Sequence, residues 1–507
     1  MYTFSSKLKT FSFVLMIVGI LGIGYGFYKA PKTIQDVEQI LKEEEAHEGG
    51  HEATAAHEEA KAESHEATAT HEEAAKTTVD SAAVKHEEAV AETAHDTIAK
   101  DTLAAVAVAE PAHTEKVTEK GAEYDDAVKH LEEHKEHAQH VLSQLQNKPW
   151  AALYVACIFF MLISLGALAF YGIQQVAQAG WSPVLFRVMQ GVTAYLLPGS
   201  IIFLIILLAS GFHMNHLFAW MAEGVTDKGS SNYDPIIAGK SGYLNFTFWI
   251  IRAILFLTVW NLYRFYSRKN CLAQDESEDN NNYKKNFKMS AAFLVFFIVS
   301  ESIMSWDWIM SVDPHWFSTL FGWYVFASFF VSGITAIQMV TLYLKSKGYL
   351  ENVNSSHIHD LSKFMFGISV FWTYLWFSQF MLIWYANIPE EITYFAMRID
   401  HYTITFWGAV VMNFVFPILL LINTDFKRVA WIVVMGGTVI LLGHYVDFFN
   451  MIMPGTVGEN WFIGIPEISS VLFFLGLFIF VVFSALTKAP LVPKRNPFIE
   501  ESKHFHY

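Results

Sequence analysis

Runs of mostly apolar residues, most of them about 20 or more long, recur along the chain with short polar stretches between them, broken by one long polar interval near the start. A helix needs roughly 20 consecutive apolar residues to cross a bilayer. The pattern predicts spanning helices near residues 11–28, 150–176, 184–211, 243–266, 289–312, 320–344, 364–386, 402–423, 429–451 and 465–486. The expected fold class is an all-α integral membrane protein with about ten transmembrane helices. The first run has Lys7 and Lys9 before it, as a signal peptide would. Tyr25, Phe27, Tyr28 and Lys29 stand where a small-residue cleavage site belongs, so we read an uncleaved anchor. The chain then divides into an anchor (1–29), a polar arm (30–148), a core of nine helices (149–487) and a tail (488–507).

Composition agrees. Hydrophobic residues make up 53% of the chain and charged ones 16%, against about 25% charged in soluble domains. The net charge of −15 sits largely before residue 149. With no basic stripe and an acidic arm, a nucleic-acid partner is not expected. Two cysteines, Cys157 and Cys271, are too few for an iron–sulfur cluster, which takes about four thiolates. No CxxCH motif attaches a haem. If the protein serves redox chemistry, the haem and iron–sulfur centres belong to partner subunits.

Lysine and arginine set an orientation. With the N-terminus in the cytoplasm, the cytoplasmic loops hold Arg268, Lys269, Lys284, Lys285, Lys288, Lys345, Lys347, Lys363, Lys427 and Arg428, and the tail adds Lys488, Lys494 and Arg495. The opposite short loops hold Lys228, Lys240 and Arg398. The asymmetry puts both termini in the cytoplasm and the arm outside, in the periplasm of a bacterial inner membrane. The arm is rich in Ala, Glu and His and repeats a 14-residue unit, from His51-Glu52-Ala53-Thr54 to His65-Glu66-Ala67-Thr68. It lacks an apolar stripe, which predicts a solvated helix or partly disordered arm, more firmly helical from Tyr124 to Gln146. His130, His134 and His137 share a helical face and are of metal-ligand type. Because 12 of the 21 histidines lie in the arm, such spacing arises easily by chance, and no metal site is assigned.

Ionisable groups inside spans cost about 3 kcal/mol at the bilayer centre on insertion scales, so each asks for a reason. The stretch SESIMSWDWIMSVDPHWFSTLFGWY from Ser300 holds Glu301, Asp307, Asp313 and His315. Glu301 and Asp307 lie on different faces of one helix, about 9 Å apart along it. Both are candidates for proton exchange; equally, each could simply hydrogen-bond neighbouring helices. Arg252 in the fourth span needs a counter-charge, for which Glu301 is the expected partner. Glu390 and Glu391 stand at the external end of the seventh span. His444 and Asp447, three apart in the ninth, would hold a quinol hydroxyl and accept its proton, or form an interhelical hydrogen bond. Glu467 opens the tenth span. Toward the cytoplasm the polar candidates thin to Gln338, Thr341, Tyr374, Gln379 and Asn413. Pro198-Gly199 interrupts the third span without a clear counterpart in the other half.

The run SWDWIMSVDPHWFSTLFGWYVF (residues 305–326) and the run QFMLIWYANIPEE (residues 379–391) resemble the NrfD-like, polysulfide-reductase-like membrane subunits of bacterial alternative complex III, a quinol:cytochrome c oxidoreductase. The resemblance covers the chain from about Trp150 onward. It implies two four-helix bundles, spans two to five and six to nine, with peripheral first and last helices. It also implies partners carrying iron–sulfur clusters and multiple c-type haems, a sister subunit of the same family, bound quinol or quinone, and surrounding lipid. The long acidic arm makes the chain look like the second of the two sister subunits. Site residues carried over are Asp307, Asp313, His315, Glu390 and Glu391. Two other function classes fit the same spans: a stand-alone proton channel or secondary transporter, and a structural scaffold.

Overall fold

The computed structural model describes residues 2–37, 39–40 and 117–506, with the side chains of most residues between 117 and 137 excepted. The described residues are 78% helical overall and contain no strand. Ten helices are long and apolar enough to cross a membrane. We number them spans 1 to 10: Ser6–Lys29, Ala138–Val176, Pro183–Gly211, Phe246–Glu276, Asn281–Val312, Phe321–Ser346, Ser355–Ala386, Thr403–Leu421, Ala430–Val457 and Ile465–Leu486. The ten match the ten runs read from the sequence. Most extend further, because polar residues continue the helices beyond their apolar centres. Successive spans run in opposite directions, so one end of the array carries the turn around Pro314 and the other the turn around Lys427.

The chain forms two units, residues 33–141 and the remainder. In the first, Thr33 and Asp36 cap one another, with Thr33 N donating to Asp36 Oδ2 at 3.0 Å and Asp36 N to Thr33 Oγ1 at 3.3 Å. The helix read from Tyr124 is present as part of Val117–Val176. The 14-residue repeat and the side chains of His130, His134 and His137 lie outside the described residues.

In the second unit, span 1 lies along span 10. Its packing face is made of Ser12, Gly19 and Gly26, at seven-residue spacing. A Cβ on Gly19 would come 2.5 Å from Phe473 N, so the two backbones are nearly in contact. Spans 3, 4 and 5 pack in sequence, and spans 7 and 9 both pack on span 6, with span 8 against span 9. Spans 2 and 6 meet at Gly166 and Gly333. A Cβ on Gly333 would lie 2.5 Å from Ala167 N, and one on Gly166 would overlap the Phe329 carbonyl.

Helix ends and breaks follow from local chemistry. Asn245 caps span 4 by accepting from Phe248 N, and Asn354 caps span 7 in a reciprocal pair with His357. Asn387 takes the left-handed conformation (φ 50°) that ends span 7. Proline has no N–H for the carbonyl four residues back. Pro198 strands the Ala194 carbonyl, and span 3 tightens to a 3₁₀ turn at Thr193–Tyr195. Pro417 does the same to Asn413, and span 8 widens to a π-turn at Val411–Val415. The interruption in span 3 thus has a counterpart in the other half, but in the third helix of that half rather than the second.

Candidate functional site

Two aspartates sit at comparable places in the two halves of the array, and their surroundings separate them. Asp307 on span 5 is locked to Arg252 on span 4. Arg252 Nε donates to Oδ2 at 2.6 Å and Nη2 to Oδ1 at 2.8 Å. The guanidinium lies over the rings of Tyr243 and Phe248, at 4.1 and 4.2 Å. The Asp307 carbonyl accepts from Trp249 Nε1 at 2.8 Å. The expected Arg252–Glu301 pair is therefore corrected: Arg252 pairs with Asp307. Glu301 is buried with one bond, from Ser302 Oγ to Oε1 at 2.7 Å, and no partner at Oε2.

Asp447 on span 9 is also buried, but neutral donors surround it. Tyr324 OH donates to Oδ1. Trp372 Nε1 and Ser328 Oγ donate to Oδ2 at 2.8 and 2.9 Å. His444 Nδ1 is 2.9 Å from the same Ser328 hydroxyl and 3.7 Å from Asp447 Oδ2. Ser328 has one proton. If that proton goes to Asp447, the hydroxyl oxygen accepts from His444, which places a hydrogen on Nδ1 and leaves Nε2 as a bare acceptor. Nε2 has no protein partner. The arrangement is a carboxylate and an imidazole joined through one hydroxyl, along which a proton can pass in either direction.

Access comes from the Pro314 end. A cavity of about 250 Å³ is walled by Asp313, Trp316, Phe321, Thr393, Tyr394 and Arg398, among others. It shares Phe321, Tyr394, Arg398 and Met451 with a narrower space of about 20 Å³ that ends at Tyr324 and Asp447. That inner space admits about one water. Tyr394 separates the two, stacked on Trp316 at 3.9 Å with Arg398 at 3.4 Å over its ring. Burial pushes the Tyr394 phenol up from its ordinary pKa, so it stays neutral and serves as donor or acceptor.

Arg398 is buried without a carboxylate hydrogen-bonded to it. Its Nε donates to the Asn450 carbonyl at 2.9 Å, Nη1 to Tyr394 O at 2.7 Å and Nη2 to Met451 O at 3.3 Å. Asn450 is four residues before Pro454, which lies inside span 9. Arg398 thus supplies the donor that proline withholds and places a positive charge beside the cavity.

The remaining expected residues fall as follows. Asp313 ends the 3₁₀ turn after span 5 and accepts from His315 N at 3.3 Å. His315 is exposed, its Nε2 2.5 Å from Asp234 Oδ2. That hydrogen bond is the main reason Asp234 titrates below an ordinary aspartate; its capping bonds from Ile236 and Ile237 add to it. Glu390, exposed, and Glu391, half-buried, occupy the first turn of the helix Pro389–Asp400 and line neither cavity. Glu467 accepts from Gly464 N at 2.8 Å and caps span 10. Gln379 was expected toward the cytoplasmic end; it lies instead near the Pro314 end, where Ser318 Oγ donates to it at 2.6 Å. Tyr374 faces outward from the array. Among the described residues no cluster of three or more His, Cys, Asp or Glu side chains suits a metal.

Sequence reading found His444 and Asp447 from their spacing. It missed Tyr324, Ser328, Trp372, Tyr394 and Arg398, which come from three other helices. Compared with known proteins, the chain matches no family model, and no curated sequence matches it.

Proposed function

We propose that this protein is a membrane subunit of a respiratory quinol oxidoreductase in a bacterial cytoplasmic membrane, and that it handles protons at Asp447. The observation that carries the reading is the Asp447–Ser328–His444 relay below a cavity open at the Pro314 end. A quinol releases two protons with two electrons, so a site that serves it needs a buried acceptor with a way out. Asp447 takes the proton, Ser328 passes it to His444 or back, and the inner space holds a water that leads to Asp313. Tyr324 and Trp372 hold the carboxylate in place. The electrons go to haem and iron–sulfur centres on partner subunits, a reading supported by the two cysteines and the lack of a CxxCH motif in this chain. The lysine asymmetry puts the Pro314 end outside, where those partners and a sister subunit sit.

The test has two parts. Mild-detergent purification from native membranes, with haem staining, should recover the chain with haem-bearing partners; recovery of the chain alone would sink the assignment to a redox complex. In the assembled complex Asp447→Asn should cut quinol oxidation or its coupled proton release about 100-fold, within the range general acid–base groups contribute. A full-rate Asp447→Asn complex would leave the scaffold role. The interrupted spans 3 and 8 favour a second reading, a secondary transporter, in which broken helices line the substrate path. It predicts solute uptake into liposomes by the chain alone.

A further inference from the structure

We propose that the Lys427 end of spans 2 to 5 encloses a second compartment, which takes up water, and that the C-terminal tail closes its mouth. The inference does not depend on the reading given for Asp447, which lies in other helices and opens at the opposite end.

The compartment is built around Tyr171. Four polar groups from four spans converge on its hydroxyl, which can accept from two of them at once: Gln175 Nε2 at 3.0 Å, Gln190 Nε2 at 3.1 Å, Asn286 Nδ2 at 3.1 Å and Ser267 Oγ at 3.2 Å. Around this hub five buried polar atoms have no partner among the described residues: Gln174 Oε1, Gln175 Oε1, Arg187 Nε, Asn270 Nδ2 and Asn286 Oδ1. Donors and acceptors are both among them. Turning an amide over pairs its oxygen only by stranding its nitrogen, so the deficit does not close within the protein. Buried groups of this kind are satisfied by ordered water. A metal cation is a poorer occupant. The carboxylate here, Asp275, is already held by Arg187 Nη2 at 2.6 Å and by Lys494 N at 2.9 Å.

Three features define its limits. On the outer side a surface cleft of about 410 Å³ is bordered by Gln274, Arg495, Asn496 and Pro497. Behind it a space of about 10 Å³, room for a single water, is lined by Gln175, Asn270, Cys271 and Asn286. Gln274 and Asn496 border both. Asn496 therefore stands at the neck between cleft and compartment. It belongs to a tail pinned on either side of the neck, by Lys494 N on Asp275 and by Ser502 Oγ donating to Trp181 O at 2.6 Å. Inward, Tyr263 meets Ser290 at 2.8 Å and stacks on Phe293 at 3.9 Å. The next hydroxyl on that face of span 5, Ser300, is about 15 Å further along. The compartment is thus a blind inlet with a movable stopper.

The two cysteines report on it. Cys271 lines the space behind Asn496, and Cys157 is sealed in the helical core. The intact protein in membrane vesicles is treated with a small water-borne methanethiosulfonate, and labelling at each cysteine is read by mass. Cys271 should react slowly in the wild type and about ten-fold faster in Asn496→Gly and in a chain ending at residue 488, with Cys157 silent throughout. If shortening the chain also exposes Cys157, the fold has been disturbed and Asn496→Gly decides alone. Unchanged Cys271 labelling in that variant overturns the stopper. Hydroxyl radicals made from water inside the protein should oxidise Tyr171 in the wild type well above Tyr154, which is buried among apolar side chains; equal protection of the two overturns the hydrated compartment.

Discussion

Removing Arg252 or Asp307 singly should be costly, and removing both should not be. The pair is bidentate, at 2.6 and 2.8 Å, with side chains 8% and 0% exposed. Arg252→Met leaves the Asp307 carboxylate among apolar neighbours with no cation, which costs about 3–5 kcal/mol. Asp307→Leu leaves the guanidinium in the same position, at a similar cost. The Arg252→Met/Asp307→Leu double variant removes both charges together. What it gives up is the 3.3 Å bond from Arg252 Nη1 to the Tyr243 carbonyl and the packing of the guanidinium on Tyr243 and Phe248, about 0.5–2 kcal/mol each, partly recovered by the methionine side chain. The Trp249 bond survives in every variant, because it ends on the Asp307 carbonyl. The double variant should therefore lie within about 2 kcal/mol of wild type, with a coupling energy of at least about 4 kcal/mol. The assay is reversible unfolding in mixed micelles, followed by far-ultraviolet circular dichroism over a denaturing-detergent titration. A double variant that loses the sum of the two single losses would overturn this expectation, since the charges would then be independently stable.

Three further outcomes rest on other contacts. Arg398→Leu orphans the Asn450 and Met451 carbonyls and should destabilise by about 1–3 kcal/mol for each; adding Pro454→Ala restores a donor to Asn450 and should recover part of the loss in the same titration. Asp234 titrates below its unfolded value, so the stability it contributes is complete above the ordinary aspartate pKa and fades as pH falls through its lowered folded value. Protection of the Ile236 and Ile237 amides, which it caps, measured as exchange relative to an unstructured amide at the same pH, should be high at pH 7 and lower at pH 3, and Asp234→Ala should be poorly protected at both. Gly333→Leu must push span 2 away from span 6, and a thermal midpoint equal to wild type would show that the backbones do not touch as described.

How far these features could be read beforehand differs case by case. The spans were legible because an apolar run of about 20 residues is long enough to cross a bilayer and longer than most buried core helices need. The helix Pro389–Asp400 was not, because its three acidic residues and Arg398 hide the apolar face made by Tyr394 and Phe395. The partner of Arg252 was misassigned from charge alone. Depth would have found it: spans 4 and 5 are antiparallel neighbours, and Arg252 and Asp307 each lie about 8–9 Å from the Pro314 end of their helix, whereas Glu301 lies about 16 Å in. Gln379 was misplaced for the same lack of depth accounting. His444 and Asp447 were found because they share one helix face. Tyr324 and Ser328 were equally regular on span 6, but serine and tyrosine inside a span carry no alarm of the kind that a charge does. The Tyr171 hub was invisible because it joins three amides and a serine hydroxyl from four helices, each unremarkable in its own span.

The Gly166–Gly333 crossing has a consequence for traffic across the membrane. Where two main chains touch with no side chain between them, there is no seam to open. At that level no side chain can swing aside to part spans 2 and 6. The two recesses open at opposite ends of the array: the proposed inlet under the tail at the Lys427 end, and at the Pro314 end the cavity beside Trp316, walled by span 5 as well as by spans 6 and 9. Spans 2 and 6 thus meet at a fulcrum with no side chain in it, and a recess lies at either end of the array.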